Sequence, residues 1–368
     1  MIGITTFHNN YNFGAALQCA SLNEVIRSRG YSVETIDYSP YNVQRSMLRG
    51  WGLRKYGISK ALKKRWVDLK SGAQTERNFS RFRDRYYSFS THCESSEDVS
   101  RIAPNYSHLI TGSDQVWRFD RPSPYFLHFG KDYHGFKASY APCCTSREQP
   151  DFQISQVRQW INELDLVSVR NQFSYELVSD LCGRKAEIVA DPTLLIDLES
   201  DESVIDRLHL PENYLLTYVL GDEPQGGMHR IIQRAQAVHG SLPVVAIRLT
   251  LDGYHELGWA DRILDGMGPF EWVELIKRSS FFITDSFHGV IFAMKHRRPF
   301  FGYYSQEWRS PRMVDLRERY QLGQRLTHCP DDFDDDFFQS GISHETTEAL
   351  RKHQQLSLAY LDRILSLK

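Results

Sequence analysis

The opening of the chain constrains its fold more than any other feature. Ile2-Gly3-Ile4-Thr5-Thr6-Phe7 is a short, apolar, β-branched run, and His8 to Gly14 is a polar loop. From Ala15 to Arg29 the apolar residues Leu17, Ala20, Leu22, Val25 and Ile26 recur at roughly helical spacing. Gly30 ends that segment, and Tyr31 to Tyr38 reads as a second strand. Strand, crossover helix and strand form a βαβ unit, which predicts a parallel sheet.

The same alternation continues. Strands are expected at 108–111, 136–141, 166–169 and 187–189, and a second set at 214–220, 243–247, 281–284 and 299–304. Helices are expected at 228–239, 271–279 and, from the spacing of Leu350, Leu356, Tyr360, Leu361, Ile364 and Leu365, along the tail. With 368 residues, two domains fit better than one. A boundary between them is expected near 197–210, where residues 197–203 are acidic and polar. The expected architecture is therefore α/β: two Rossmann-like domains with parallel sheets facing a cleft. The N-terminal domain spans 1–198, with a basic helical insertion over 42–100. The C-terminal domain spans 199–342, and a helix over 343–368 packs back on the first domain.

Composition narrows the function classes. Lys+Arg number 44 against 46 Asp+Glu, so no global positive field exists to hold nucleic acid. Six scattered cysteines form no CxxC pair and no metal-ligand spacing, so neither a disulfide nor a metal site is expected. No apolar run reaches the ~20 residues of a membrane span, and the N-terminus lacks a signal-peptide pattern, which points to the cytoplasm. Charge is nevertheless uneven. Residues 45–85 carry thirteen Lys/Arg against three acids. Such a run is ordinarily a solvated helical face, but it also suits an anionic membrane surface or a lipid diphosphate.

Four segments place polar groups after a strand, where open α/β sheets bind ligands. In Phe281–Met294 a strand turns into a helix at Asp285-Ser286-Phe287-His288-Gly289. The helix N-terminus suits an anion, Ser286 offers a hydroxyl, Gly289 permits close backbone approach, and His288 can move a proton near neutrality. The structural alternative makes Ser286 a cap and His288 a buried filler. Arg170 follows the strand 166–169 and could clamp a phosphate or carboxylate, or form a salt bridge. Asp114, Gln115 and Trp117 follow the strand 108–111; they could bind sugar hydroxyls, with Asp114 as a base, or serve as helix cap and core. The loop His8, Asn9, Asn10, Tyr11 to Gly14 lacks GxGxxG, and GxxxxGK[ST] is absent throughout.

Asn10 to Gln18, Gly112 to Trp117, Ser168-Val169-Arg170, Asp191-Pro192-Thr193 and Asp285 to Gly289, taken in order over most of the chain, resemble the polysaccharide pyruvyl transferase family. The resemblance implies a GT-B-like fold. It also implies transfer of pyruvate from phosphoenolpyruvate onto two hydroxyls of a sugar, as a cyclic ketal, in a bacterial capsule, exopolysaccharide or cell-wall polymer. The family's histidine falls on His288 and one of its arginines on Arg170. Some members carry an arginine two residues before the histidine, where this chain has Ser286, so a further donor cation is sought in Arg248, Arg297 or Arg298. For the reaction so implied, the residues after the strands are assigned as follows: His288 and Asp114 to the chemistry. Arg170, Ser286, Gly289 and Arg248 fall to the donor, and His8, Asn9, Asn10, Tyr11, Gln115 and Trp117 to the acceptor. Phosphoenolpyruvate serves as co-substrate without cofactor or metal. An undecaprenyl-diphosphate-linked saccharide is one acceptor candidate, which would bring the protein to the inner membrane face. Two rivals share these residues: a GT-B glycosyltransferase using a nucleotide sugar, and a non-catalytic sugar-binding protein.

Overall fold

A four-stranded and a six-stranded parallel sheet organise the chain, their strands' carboxyl ends turned toward each other, and a two-stranded parallel ladder continues the first. The computed structural model describes residues 1–40, 51–118, 121–129, 133–144, 151–199, 201–251, 256–305, 310–328, 338 and 340–367. The start of the basic insertion, 42–50, and most of the acidic stretch 331–338 lie outside the described residues.

In the first half, β1 (Ile2–Thr5), β2 (Val33–Thr35), β3 (His108–Thr111) and β4 (Phe136–Ser139) pair in the order β2-β1-β3-β4, all parallel. Helix α1 (Phe13–Arg27) is the crossover between β1 and β2, capped by Asn12, whose side chain accepts the Ala15 N–H at 3.1 Å. Beyond β4 come β5 (Ser168–Val169) and β6 (Glu187–Ile188), shorter than the apolar runs around them. The backbone ladder to β4 ends with the Ser139 N–H donating to Leu166 O at 3.1 Å, and beyond it hydroxyls take over. Ser139 Oγ donates to Ser168 O at 2.8 Å, and Ser168 Oγ donates to Ser139 O at 2.8 Å. This explains a serine in an otherwise apolar strand: it carries the sheet across to Arg170.

In the second half, β7 (Leu215–Tyr218), β8 (Val244–Ile247), β9 (Arg262–Leu264), β10 (Phe281–Thr284), β11 (Phe300–Tyr303) and β12 (Leu326–Thr327) form one parallel sheet, ordered β12-β11-β10-β7-β8-β9. This is the doubly wound Rossmann order, and its direction reverses between β7 and β10. Both strands are buried along their whole length, as central parallel strands must be. Strands β9 and β12 carry three and two residues and were not legible as periodic runs.

Two long helices tie the halves together. Helix α2 (Trp51–Tyr86) buries Phe79, Phe82 and Tyr86 in the core shared with α1 and the second sheet. Its Asn78 donates to Gly266 O at 2.8 Å, and its Arg81 pairs with Glu271 at 2.7 Å. The tail helix His344–Leu365 returns to the first half, where Tyr360, Leu361, Ile364 and Leu365 pack among Ile2, Ile4, Leu22 and Ile110. Leu356, part of the expected apolar spacing, is instead exposed.

Candidate active site

Helix α3 (Gln172–Cys182) starts directly after Arg170, α4 is Pro269–Arg278, and α5 (Phe287–Lys295) starts directly after Asp285-Ser286. The starts of α3 and α5 face each other across the gap between the two sheets, Arg170 lying 4.3 Å from the Phe287 ring. Asn171 caps α3 by accepting the Ser174 N–H at 2.8 Å, and Ser286 caps α5 by accepting the Gly289 N–H at 3.2 Å. Each cap fixes the charged side chain beside it.

His288, in the first turn of α5, crosses the gap. Its Nε2 lies 3.5 Å from Asp191 Oδ2, and only 6% of the residue is exposed. The other ring edge rests on the backbone of Gly14. A Cβ there would stand 2.0 Å from His288 Nδ1. Glycine at 14 is thus a steric requirement for the imidazole. Gly14→Ala is expected to displace the ring, at an overpacking cost of about 1–3 kcal/mol. Because the clash is specific, Gly14→Ala added to a His288→Ala background should cost far less, and a double-mutant cycle from denaturant melts reads this coupling. Additive losses would mean that the two residues do not meet.

Asp191 is the hub. Its Oδ1 accepts from Thr193 Oγ1 at 2.7 Å and from the Thr193 N–H at 3.1 Å. Its Oδ2 accepts from Arg170 Nη1 at 2.8 Å and Ser113 Oγ at 3.2 Å. Burial opposes ionisation of this carboxyl, but the His288 and Arg170 charges and the Thr193 hydrogen bond overcome it and hold it well below the usual carboxylate range. Arg170 is equally committed. Its Nη2 lies 3.0 Å from Cys143 Sγ and 3.5 Å from Asp114 Oδ1, and its guanidinium covers the Phe287 ring at 4.3 Å. At 3% exposure and between two carboxylates, Arg170 is not the open anion clamp expected from sequence. It braces Asp191 and Asp114 and crosses to the second half through Phe287.

Asp114 caps Gln115, accepting its N–H at 2.8 Å, as the structural alternative has it. Yet it does so at φ 79°, ψ −172°, a region that glycine alone visits readily. Such a conformation costs about 1–3 kcal/mol, and it holds the carboxylate against Arg170. Trp117 contradicts its expected acceptor role. It is fully buried, stacked on Phe126, and donates its indole N–H to Tyr125 O at 3.2 Å. Gly289 also differs from expectation. A Cβ there would stand 2.6 Å from Thr284 Oγ1, so glycine serves close packing of α5 on its own strand. Ser286 uses its hydroxyl oxygen as the cap acceptor, and its O–H remains a donor.

Arg248 does not reach this cluster. It follows β8, two strands from β10, a lateral offset of about 10 Å, and pairs with Asp265 at 3.4 Å. Arg297 and Arg298 lie past the far end of α5, about 14 Å along the helix from His288. The second cation at the site is instead Arg312, in the first turn of α6 (Pro311–Arg319). Its guanidinium lies 5.7 Å from the Phe287 ring. Burial and the nearby Arg170 charge lower its pKa, and among the described residues it makes no hydrogen bond or ion pair. Arg312 borders a cavity of about 480 Å³ beyond the ends of β7, β10 and β11, shared with Gly221, Glu223, Asp285, Tyr304 and His328. Asp285 sits at the switch between β7 and β10. Its oxygens accept the Leu220 and Gly221 N–H groups at 2.7 and 2.6 Å, while burial pushes its carboxyl up to about 6.

On the first half, a cavity of about 160 Å³ opens beyond β1 and β2, bordered by His8, Asn9, Asn10, Tyr38, Arg121 and Tyr125. His8 bonds Asp37 at 3.1 Å and Thr6 O at 2.9 Å, and Asn9 donates to Ser39 Oγ at 3.3 Å. Asn10 accepts the Asn12 N–H. Tyr11 turns away, donating to Glu76; burial and that carboxylate raise its hydroxyl to about 12. Gln115 is half-buried beside Asp114.

The family model for polysaccharide pyruvyl transferases matches residues 12–307, which include Gly14, Asp114, Arg170, Asp191 and His288. The chain belongs to the polysaccharide pyruvyl transferase family. A search of curated proteins gives no match. Among solved structures, Anabaena HepE in complex with UDP and glucose aligns at TM-score 0.54 and 10% identity, covering 99% of each chain. A UDP-GlcNAc 2-epimerase from Methanocaldococcus jannaschii aligns at TM-score 0.51 and 10% identity, again over 99% of each chain. Arabidopsis thaliana UGT89C1, complexed with UDP-L-rhamnose, aligns at TM-score 0.50 and 11% identity over 99% of this chain and 98% of the other. These likenesses concern the fold, and the fold of this pyruvyl transferase family member is GT-B.

Sequence reasoning passed over Asp191, Gly14 and Arg312 as site residues. The first two stood inside matched motifs, Asp191-Pro192-Thr193 and Asn10 to Gln18. Arg312 had no such signal. What converges at the cleft is an imidazole 3.5 Å from a carboxylate, a strained aspartate, and two guanidinium groups on one phenyl ring, one of them without a hydrogen bond or ion pair among the described residues. This set can move a proton and hold an anion.

Proposed function

We propose that the chain transfers pyruvate from phosphoenolpyruvate onto two hydroxyls of a sugar in a surface polysaccharide or its lipid-linked precursor. The donor is a small polyanion that must be held while charge moves onto its departing phosphate, and fixed positive groups serve that need. In this reading Arg312 holds the donor phosphate in the 480 Å³ cavity of the second half. Arg170 keeps Asp191 ionised and in place, and Asp191 orients His288. His288 delivers a proton to the donor methylene, which becomes a methyl group and leaves C2 electron-poor. One sugar hydroxyl then bonds to C2, phosphate leaves with the C2–O bond pair, and a second hydroxyl closes the ketal. Of the two hydroxyl protons, one replaces that spent on the methyl group and the other leaves with phosphate. Asp114 accepts each hydroxyl proton as its C–O bond forms and passes it on, one to the spent His288 and one to the departing phosphate, and the loop His8–Asn10 with its small cavity receives the acceptor.

One observation carries the reading: the Arg312 guanidinium, without a hydrogen bond or ion pair among the described residues, and the His288 imidazole, 3.5 Å from Asp191, flank the same Phe287 ring. It predicts that Arg312→Ala raises the KM for phosphoenolpyruvate by about tenfold or more, as loss of a charge-assisted contact should. Phosphate release followed against donor concentration, with a saccharide acceptor present, gives that number. An unchanged KM would remove Arg312 from donor binding.

A further inference from the structure

Helix α2 carries an outward face that nothing among the described residues covers. Leu62, Trp66 and Leu69 are 65%, 62% and 76% exposed. Spaced i, i+4 and i+7, they line one stripe of the helix. The opposite face is already used: Val67, Ser71, Thr75, Asn78 and Phe79 are buried against the rest of the molecule. A helix packed on one side ordinarily turns polar residues outward. Here three of the seven large exposed hydrophobic residues among the described residues stand in a row.

The surroundings of the stripe say what covers it. Lys60, Arg65 and Lys70 are exposed on either side, Lys70 Nζ lies 5.1 Å from the Trp66 ring, and Lys63, also exposed, pairs with Glu256 at 2.7 Å. Between Ser59 and Thr75 the only acid is Asp68, which pairs with Lys64 and accepts the Leu251 N–H at 3.1 Å. An apolar ridge with a central tryptophan and a cationic margin is complementary to an anionic bilayer interface: side chains enter the headgroup boundary, and lysines meet lipid phosphates. A second copy of the chain fits less well, because an isologous pairing would bring the same cations together. Among the described residues no helix is long and apolar enough to cross a membrane, so the contact is one of lying on the surface.

We infer that the Leu62–Trp66–Leu69 ridge of α2 docks the protein on anionic lipid. The ridge has a definite place relative to the cleft. Asp68 and Gly72 meet Leu251 beyond β8, and Gln74 and Asn78 meet Gly266 beyond β9. The buried face of α2 therefore meets the carboxyl ends of the second sheet, the side on which the cleft residues stand, and the ridge lies on the helix's opposite face. The inference is independent of the donor's identity.

The test is co-sedimentation of the full chain with vesicles of phosphatidylglycerol and phosphatidylcholine, and with phosphatidylcholine alone. Wild type should pellet with the anionic vesicles and far less with the neutral ones, and added salt should release it. Leu62→Ser/Trp66→Ser/Leu69→Ser should weaken binding to anionic vesicles about a hundredfold or more. Lys60→Glu/Arg65→Glu should weaken it about tenfold, and carries the test alone if the triple variant does not fold. Equal pelleting of wild type and a folded variant would overturn the inference. So would a wild-type dimer that ignores vesicles and becomes monomeric in the triple variant, since the ridge would then be a contact between copies.

Discussion

With His288 replaced by alanine, turnover of phosphoenolpyruvate and acceptor is expected to fall by about 10²–10⁴-fold, the range associated with a positioned acid–base group. The fold should survive the change. Asp191 keeps Arg170, Thr193 and Ser113 as partners when the imidazole is gone, so no buried charge is stranded. The space left beside Gly14 is that of one ring. Donor affinity should change less than turnover, because the cation assigned to donor binding is Arg312 and because Asp191, not the donor, orients the ring. Phosphate release and ketal formation under saturating donor read the effect. Near-normal turnover would take the imidazole out of the chemistry.

Asp191→Asn should be the most destabilising single change in the site. It leaves the Arg170 guanidinium, 3% exposed, without its 2.8 Å carboxylate partner. Breaking a buried pair on one side costs about 3–5 kcal/mol, because the remaining charge is no longer compensated. The 3.5 Å contact with Asp114 offsets only part of this. The pH dependence follows from the direction of the shift. The folded-state pKa of Asp191 lies below its unfolded value, so its contribution is complete above about pH 4 and disappears as pH falls through the folded value. Wild type should therefore lose stability below about pH 4 more steeply than Asp191→Asn does. Urea midpoints for both proteins across pH 3–7 measure the offset and the slopes. A small offset and parallel slopes would mean that the Arg170–Asp191 pair does not anchor the site.

Most of the architecture was legible because it rests on local pattern. The βαβ opening, the helix Met228–His239 and the strand Phe281–Thr284 have apolar periods that match their geometry, and the structure places them there. What escaped was set by distant contacts. Strand β12 has two residues and exists because β11 stands beside it. Trp117 follows a strand as a ligand-binding residue would, yet Phe126 and Tyr125 enclose it from a later turn. The arginine two residues before the histidine in some relatives is Ser286 here, and the nearest later arginines in sequence lie at the wrong end of α5. Arg312 arrives from another helix and was visible only once β10 and α6 stood together. Gly14 shows the same limit: its need for hydrogen in place of a side chain comes from an imidazole 274 positions away.

The most direct measurement is the mass of a saccharide acceptor after incubation with the wild-type protein and phosphoenolpyruvate, phosphate being followed in the same sample. Lipid-linked oligosaccharides and free polymer serve as the acceptors. The account predicts a gain of one pyruvyl ketal per acceptor with one phosphate released for each, and loss of both with His288→Ala. An acceptor that gains a hexose from a nucleotide sugar, and nothing from phosphoenolpyruvate, would contradict it.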